Sequence, residues 1–223
     1  MKMLTTLSPQ RFLAWASICF IVFFMAWYDT ANAHIFSYSL NEWILQNLYA
    51  PPITELMSKG QEFYRDSLEG ITGLGTDIIL LLALGVIFLD LLLRREFKPM
   101  LYCLLALFII LSVTILCKLY IFSPRPMFPL ELDSFPSGHV VRASIWCGLI
   151  IMLGKMQAFN VSKYWRLVWL AIPLLVAYSR VGLGYHWLSD VIASLALSLG
   201  AFLVVYYFIA RNNLRGRQVQ GPI

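Results

Sequence analysis

The sequence predicts an all-α protein, a polytopic membrane bundle of six transmembrane helices with short amphipathic interfacial helices between the first and the second. One observation is the composition, because the 223-residue chain is 60% hydrophobic and only 13% charged, whereas about a quarter of a soluble domain is charged. Another is a series of apolar runs close to the roughly 20 residues that cross a bilayer as a helix. The charges gather at the ends of these runs. We expect a single domain, residues 1–223, with no sizeable part outside the membrane.

The first span is predicted over residues 12–28, after the cations Lys2 and Arg11. The Ala-Asn-Ala sequence at 31–33 resembles the small-residue site of a signal peptidase. Cleavage there is the less favoured alternative, because the apolar run is longer than a usual signal core and Asp29 separates it from the alanines. We therefore expect a retained span. In either case the residues that follow lie outside the cytoplasm.

Residues 34–70 mix charged and apolar side chains and predict one or two amphipathic helices. A short helix would place Ile44, Leu45 and Leu48 on one face and end at the two prolines that follow. Such helices rest at a membrane interface, here the outer one. They either wall the mouth of a functional site or only cover the bundle. His34 is expected to be an ordinary interfacial residue.

The five remaining spans are predicted from apolar runs that end at charges, prolines or glycines. A basic cluster at 94–98 ends the second span. Ser123 and Pro124 end the third, because proline cannot donate to the helical hydrogen-bond ladder. Pro173 lies within the fifth span and predicts a kink. The five spans are expected over residues 76–93, 100–122, 137–154, 165–181 and 186–210.

Lysine and arginine are distributed unequally between the two sides of this predicted bundle. Six spans place 11 of the 17 Lys and Arg residues at the N terminus, in the 94–98 and 155–166 loops and in the tail. By the positive-inside rule that side is cytoplasmic. We therefore expect an integral inner (plasma) membrane protein whose site faces the periplasm or the cell exterior. The outer side carries Lys59, Arg65, Lys118, Arg125, Arg142 and Arg180.

Net charge and cysteine usage restrict the partners and the chemistry. The net charge of +5 is dispersed over the ends of the spans, and this distribution predicts no nucleic-acid partner. The four cysteines lie in apolar stretches without a C-x-x-C pair. They are expected to be small buried residues rather than disulfide partners or metal ligands. They are Cys19, Cys103, Cys117 and Cys147.

Three polar segments interrupt the apolar part of the chain and hold two of its three histidines. The first polar segment is 118–126, KLYIFSPRP; the second is 136–139, PSGH; the third is 179–190, SRVGLGYHWLSD. Their cations outnumber their anions, and charges beside membrane helices are costly unless they are paired. We expect the missing anion to be a phosphate group of the substrate.

The residue types in these segments suit a phosphate. The second polar segment begins a helix, whose first amide groups lack carbonyl partners and can bind an anion. There Gly138 lets the backbone approach an oxygen closely, and Ser137 adds a hydroxyl donor. Arg125 and Arg180 offer planar guanidinium forks, and Lys118 offers a point charge. These five residues are candidates for substrate binding, since phosphoryl transfer depends mostly on positioning and electrostatics.

Three further residues are candidates for catalysis. His186 and Asp190 are four positions apart and so share one face of a helix, where the carboxylate can orient the imidazole as a nucleophile. His139, from another helix, can protonate the leaving oxygen. Two alternatives remain open. The pair His186 and Asp190 can simply tie helices together, or the three residues can bind a metal, which the neighbouring cations disfavour.

The pattern K-x6-R-P, P-S-G-H and S-R-x5-H-x3-D over residues 118–190 resembles, without a departure, the signature of the type 2 phosphatidic acid phosphatase superfamily. That superfamily also contains vanadium-dependent haloperoxidases and glucose-6-phosphatase. The resemblance implies that His186 forms a phosphohistidine, with Asp190 as its orienting partner and His139 as the acid. It also implies that the five binding candidates hold the phosphate, and that no metal or other cofactor is needed.

One cation near the signature is not explained by it. Arg142 lies one turn after His139 on the same predicted helix. It either extends the phosphate site or pairs with Glu131 or Asp133, and the sequence leaves both alternatives open.

The function that this resemblance implies is a membrane lipid phosphatase or pyrophosphatase. Its substrate would be undecaprenyl pyrophosphate, phosphatidylglycerophosphate, phosphatidate or a lipid A phosphate, with the bilayer as its other partner. A lipid phosphotransferase with the same phosphohistidine is an alternative. A transporter with intramembrane charges is an alternative of another class, disfavoured because the charges cluster at one face. Haloperoxidase activity is disfavoured because the relatives that have it are soluble, and oligomeric state is not predicted.

Overall fold

The computed structural model describes residues 8–51, 58–156 and 162–219 of the chain. These residues form eight α-helices and no β-strand, which confirms the all-α class. The helices are α1 (Pro9–Ala31), α2 (Tyr38–Asn47), α3 (Lys59–Gly73), α4 (Asp77–Leu93), α5 (Phe97–Tyr120), α6 (Gly138–Lys155), α7 (Lys163–Gly182) and α8 (Leu188–Val219).

Four stretches of the described residues are long and apolar enough to cross a membrane. They are Pro9–Ala31, Lys59–Leu93, Phe97–Tyr120 and Leu188–Asn212. The second of these takes in both α3 and α4. α6 is apolar but shorter, over Gly138–Gly154, and α7 is not among the four. These findings indicate an integral membrane protein, and the count of six spans stays a prediction.

α6 lies at the centre of the bundle, where it contacts α4, α5, α7 and α8. Val140 and Ala143 pack into one apolar cluster with α7 and α8. Val141, Ile145 and Leu149 pack into a second cluster with α4, α5 and α8. A helix that is apolar on several faces is typical of a core position. The first turn of α6, which carries the second polar segment, is therefore held from several sides.

α1 packs along α8 more extensively than any other two of the described helices pack together. Phe12 stacks on Tyr206 with ring centroids 5.8 Å apart. Farther along, a Cβ on Gly200 would lie 3.2 Å from the Cβ of Cys19, so the glycine lets the two helices approach closely. The first predicted span is thus part of the bundle. Its retention rather than cleavage stays a prediction.

The segment between α1 and α4 contains two helices, within the range that the sequence predicts. α2 and α3 both pack against α7, and α2 buries Ile44 against the bundle. Ser58 and Gln61 form a capping box at the start of α3, which satisfies two of its free amide groups. α2 ends at Asn47, before the two prolines expected to end it, and Pro52 lies outside the described residues. The interfacial position of the two helices stays a prediction.

Two helix ends near the site differ from prediction. α5 ends at Tyr120, two residues early, because Ile121 is already extended and starts the loop to α6. α8 begins at Leu188, two residues late, because the chain first makes a turn in which Gly184 has a φ of +71°, a conformation that favours glycine. His186 therefore lies in the turn between α7 and α8 and not on α8 itself.

The prediction of buried cysteines is confirmed for two of the four. All four are free; Cys103 and Cys147 are buried and the other two are half-buried. Pro173 lies inside α7 as expected, and the kink at this position stays a prediction.

Candidate active site

The three polar segments meet at one end of the bundle. The loop 121–137 joins α5 to α6 and carries most of the first two segments, while the third runs from the end of α7 into the first turn of α8. Ser137 N donates a hydrogen bond to Asp190 O at 3.4 Å. Ser194 Oγ donates to Ser137 O at 3.1 Å. These contacts join the start of α6 to the start of α8 and so bring together candidates that are distant in sequence.

His186 is oriented by a carboxylate. Its Nδ1 lies 3.4 Å from Asp190 Oδ2 and 3.3 Å from Ser134 Oγ, so Nε2 is the ring nitrogen that these groups leave open. Asp190 Oδ2 also accepts a hydrogen bond from Trp187 N at 3.0 Å, which caps the first turn of α8. The helix start thus fixes the carboxylate, and the carboxylate fixes the imidazole. Burial lowers the pKa of His186 to about 4, so the ring is neutral at pH 7.

Ser134 completes this arrangement, although it is absent from the residues that the sequence singles out. It is fully buried, and its hydroxyl donates a short hydrogen bond to Asp190 Oδ2. Its place is set by the backbone of the 121–137 loop, where Ser134 N donates to Ser123 O at 3.1 Å. The only signal in the sequence is a small polar residue two positions before the second polar segment.

His139 lies on the first turn of α6, two residues after Ser137, whose N donates to Asp190 O. Arg180, Arg142, Arg125 and the ring of His186 lie near enough to act on it electrostatically. The two candidate histidines are therefore at the same end of the bundle, as a shared reaction centre requires. Their catalytic roles stay predictions.

Buried polar atoms without a protein partner lie in this region. Among the described residues, Ser137 Oγ, Arg125 Nε and Arg180 Nε are buried and make no hydrogen bond. Each such atom costs on the order of 1–3 kcal/mol if it stays unpaired, so these atoms suit a ligand that accepts hydrogen bonds. Arg180 is held in place by Tyr185, whose ring centroid lies 4.2 Å from the guanidinium carbon. The set of donors can bind an anion such as phosphate.

Two carboxylates already contact the cations of the first polar segment. Arg125 pairs with Glu131 and Asp133, each at 2.9 Å. Lys118 Nζ donates to Asp133 O at 2.7 Å and lies 3.5 Å from its carboxylate. Burial acts to raise the pKa of Asp133, but the hydrogen bond from Arg125 and the charge of Lys118 outweigh it and lower the pKa. The protein thus supplies part of the negative charge that the sequence alone predicts to come from a substrate.

Arg142 does not pair with Glu131 or Asp133, so that alternative is wrong. Its Nε lies 3.2 Å from Asp77 Oδ1, at the start of α4. Its Nη1 lies over the start of α6, since a Cβ added to Gly138 would stand 3.0 Å from it. Arg142 therefore extends the cationic region at the first turn of α6.

His34 is buried, and its position at the membrane interface stays a prediction. Its Nδ1 lies 3.0 Å from Ser189 Oγ and 3.7 Å from Asp29 Oδ2. The ring packs on Trp187 with centroids 4.6 Å apart. Burial lowers the pKa of His34, and the opposing charges of Asp190 and Asp29 do not offset that effect. Nothing in the local spacing indicates these contacts, because they depend on the packing of α1 against α8.

The fold and this site define an integral membrane protein of all-helical architecture, with two imidazoles, a carboxylate and a cluster of cations at one end of the bundle. The model of the PAP2 superfamily matches residues 98–214 of the chain, a range that contains all three polar segments. The chain belongs to the PAP2 superfamily and is a PAP2-type membrane phosphatase.

Individual relatives agree with this family. The chain is 31% identical over 156 residues to phosphatidylglycerophosphatase B of Bacillus subtilis (strain 168), over 66% of this chain and 76% of the relative. Its fold is similar to the crystal structure of the transmembrane PAP2 type phosphatidylglycerolphosphate phosphatase from Bacillus subtilis, with a TM-score of 0.67 and 24% identity over 90% of this chain and 96% of that one. It is also similar to Aquifex aeolicus LpxE, with a TM-score of 0.53 and 17% identity over 78% of this chain and 94% of that one.

Proposed function

We propose that the chain hydrolyses a phosphomonoester or pyrophosphate of a membrane lipid through a phosphohistidine on His186. The observation that carries this proposal is the orientation of that ring, whose Nδ1 faces Asp190 Oδ2 at 3.4 Å and leaves Nε2 open. The positive charges of Arg180 and Arg125 act on the same ring. A neutral imidazole held in this way can attack phosphorus and form a covalent intermediate.

The proposed reaction has two steps. In the first, His186 Nε2 forms a bond to phosphorus while the bond from phosphorus to the leaving oxygen breaks. His139, protonated in the complex because the charge of the bound phosphate favours its imidazolium form, donates a proton to that oxygen. In the second, His139 takes a proton from a water molecule whose oxygen attacks the phosphohistidine. The bond between phosphorus and Nε2 then breaks, and inorganic phosphate leaves with His186 neutral again.

The cations and donors of the site stabilise the charge on the transferred group. Lys118, Arg125 and Arg180 are proposed to neutralise the equatorial oxygens, on which the charge of a phosphoryl transition state is spread. Ser137 and the free amide groups of the first turn of α6, which begins at Gly138, add hydrogen bonds. We propose that no metal takes part, because these cations supply the positive charge that a divalent ion would provide.

The substrate is proposed to be phosphatidylglycerophosphate or another lipid phosphate. The name of the Bacillus subtilis relative supports the first choice. Tyr120 and Phe122, both exposed within the first polar segment, fit contact with lipid at the membrane interface. Undecaprenyl pyrophosphate, phosphatidate and lipid A phosphate belong on the same test panel. We place the protein in the inner (plasma) membrane as a single six-span domain, with the site facing the periplasm or exterior.

A phosphate-release assay tests this function. The purified chain in detergent with EDTA present is expected to release phosphate from at least one of the four lipids, and vanadate is expected to inhibit as a transition-state mimic. His139→Ala should lower the release by about 10²–10⁴-fold, the range of a lost acid–base group. His186→Ala should lower it at least as much, because it removes the proposed nucleophile. Lys98→Ala, an exposed site at the other end of α5, is the matched control and should retain activity.

Two results would contradict the proposal. Activity that disappears with EDTA and returns with zinc or magnesium would argue against the metal-free mechanism. With labelled donor and an acceptor lipid present, label that enters the acceptor without free phosphate would identify a phosphotransferase.

A further inference from the structure

Arg142 is held at one end by the turn between α3 and α4. Its Nε donates to Gly75 O at 2.8 Å and lies 3.2 Å from Asp77 Oδ1. The same turn is attached to α6 by Trp146, whose Nε1 donates to Leu74 O at 3.1 Å. Because the guanidinium group is planar, fixing its Nε edge also fixes the direction of its two Nη groups.

The Nη groups of Arg142 lie back over the start of α6. A Cβ added to Gly138 would stand 3.0 Å from Nη1 and 3.9 Å from Nη2, as expected for a long helical side chain that leans toward the N terminus. Both of the contacts that hold Arg142 to Gly75 and Asp77 use Nε. The Nη groups are therefore placed beside the free amide groups of the first turn, where a helix binds anions.

Arg142 lies on the acid side of the site. It follows His139 by one turn on α6, and its Nη1 lies beside Gly138, the residue before His139. Since His139 is the residue proposed to protonate the leaving oxygen, Arg142 adjoins the leaving group.

We propose that Arg142 forms a second phosphate-binding subsite, for a substrate whose leaving group itself carries a phosphate. This inference rests on the proposed phosphatase function and narrows its substrates to lipids with two phosphate groups. They are either a diphosphate or a phosphomonoester with a neighbouring phosphodiester. Such a leaving group departs with extra negative charge, and a guanidinium fork held by Asp77 pairs well with phosphate oxygens.

Turnover of two matched substrate pairs tests the subsite in the detergent-solubilised full chain. The pairs are farnesyl diphosphate with farnesyl phosphate, and phosphatidylglycerophosphate with phosphatidate. Arg142→Gln should lower kcat/KM for at least one two-phosphate substrate by about 10- to 100-fold, and that of its monophosphate partner by less than about 3-fold. The pair that responds identifies the source of the second phosphate. Arg94→Gln is the matched control, because it removes an arginine that pairs with Asp90 at the far end of α4.

Binding measured without turnover separates this inference from the proposed function. Arg142→Gln should weaken the binding of inorganic pyrophosphate and leave that of orthophosphate unchanged. Arg142→Lys keeps the positive charge but lacks the planar guanidinium fork, so it should show an intermediate loss of pyrophosphate binding. It replaces the Gln variant in the test if that variant does not fold. An equal loss for both members of each pair, or no loss for either two-phosphate substrate, would overturn the subsite. A wild-type chain that binds pyrophosphate through Arg142 but releases no phosphate from any lipid would overturn the proposed function and leave the subsite standing.

Discussion

Ser134 and His186 compete for the same oxygen of Asp190. The Ser134 hydroxyl donates to Oδ2, the Trp187 amide donates to the same atom at 3.0 Å, and the His186 Nδ1 lies 3.4 Å from it. A carboxylate oxygen that already accepts two hydrogen bonds stabilises an imidazolium less than an unoccupied one would. Ser134 therefore acts together with burial to keep His186 neutral.

Ser134→Ala is expected to lower kcat by about 10-fold, because a buried hydrogen bond that orients the Asp190 carboxylate is lost. It should also move the acid limb of the pH profile. In the proposed mechanism His186 attacks only when neutral, and its pKa of about 4 places the loss of activity at acid pH. In the variant the carboxylate pairs more fully with the ring, so the pKa of His186 rises and the acid limb moves to higher pH.

The profile of kcat/KM against pH measures this shift. Ser198→Ala, which removes a hydroxyl that donates only to Ser194 O within α8, is the control and should leave the limb in place. A loss of activity without any movement of the acid limb would reduce Ser134 to a packing role.

For individual residues, the sequence predicts those contacts that depend on local spacing. The four-residue interval from His186 to Asp190 predicts their contact correctly, even though His186 precedes the helix. Ser134 and His34 are not predictable in this way. Their partners are 56 and 155 residues away in the chain, so their positions follow from how the helices pack.

Among the elements, the turn between α3 and α4 has the most direct effect on the site. Gly75 in this turn lies against the first turn of α6, where a Cβ would stand only 2.5 Å from His139 O and 2.9 Å from its Cβ. Backbone atoms cannot move aside as the end of a flexible side chain can. The turn thus sets how close the α3–α4 unit comes to the candidate acid.

Gly75→Ala is expected to displace the first turn of α6, with a loss of about 1–3 kcal/mol in stability, as in other overpacked sites. Activity should fall by about 100-fold if His139 moves by roughly 1 Å. The matched control is Gly73→Ala, where an added Cβ meets nothing within 4 Å. Thermal unfolding in detergent and phosphate release measure the two effects. Equal behaviour of the two alanine variants would show that the contact is not limiting.

Helix positions are predicted well where an apolar run ends at charges, and less well beside the site. α4 and α6 each begin one residue after their predicted starts. The ends of α5 and α8 at the site differ by two residues, because the loop 121–137 and the turn around Gly184 are shaped by contacts between them. One such contact is the hydrogen bond from Met127 N to Gly184 O.

For the whole molecule, the positive-inside rule predicts which end of the bundle faces outward, and cysteine labelling tests it. Leu130, in the 121–137 loop, is 96% exposed, and Lys98 lies exposed at the other end of α5. A membrane-impermeant maleimide should label Leu130→Cys in intact cells and Lys98→Cys only after lysis. The unsubstituted chain is the blank, since its cysteines are buried or half-buried. Labelling in the reverse pattern would show that the site faces the cytoplasm and would contradict the proposed orientation.

Membrane character and helical class follow from composition alone, because a chain this apolar must satisfy its backbone hydrogen bonds inside helices. The order in which the helices pack does not follow from composition. An apolar run can face either lipid or another helix. The extensive packing of α1 on α8 therefore cannot be predicted from the sequence of either helix alone.

That packing has a consequence for biosynthesis. Translation makes α1 before α8, so α1 enters the bilayer without its main neighbour and waits for it while α2 to α7 are made. The turn that carries His186 arrives with α8, and a nascent chain halted before that point would hold Arg125, Arg142 and Arg180 without the proposed nucleophile. The proposed site is therefore complete only once α8 has packed against α1.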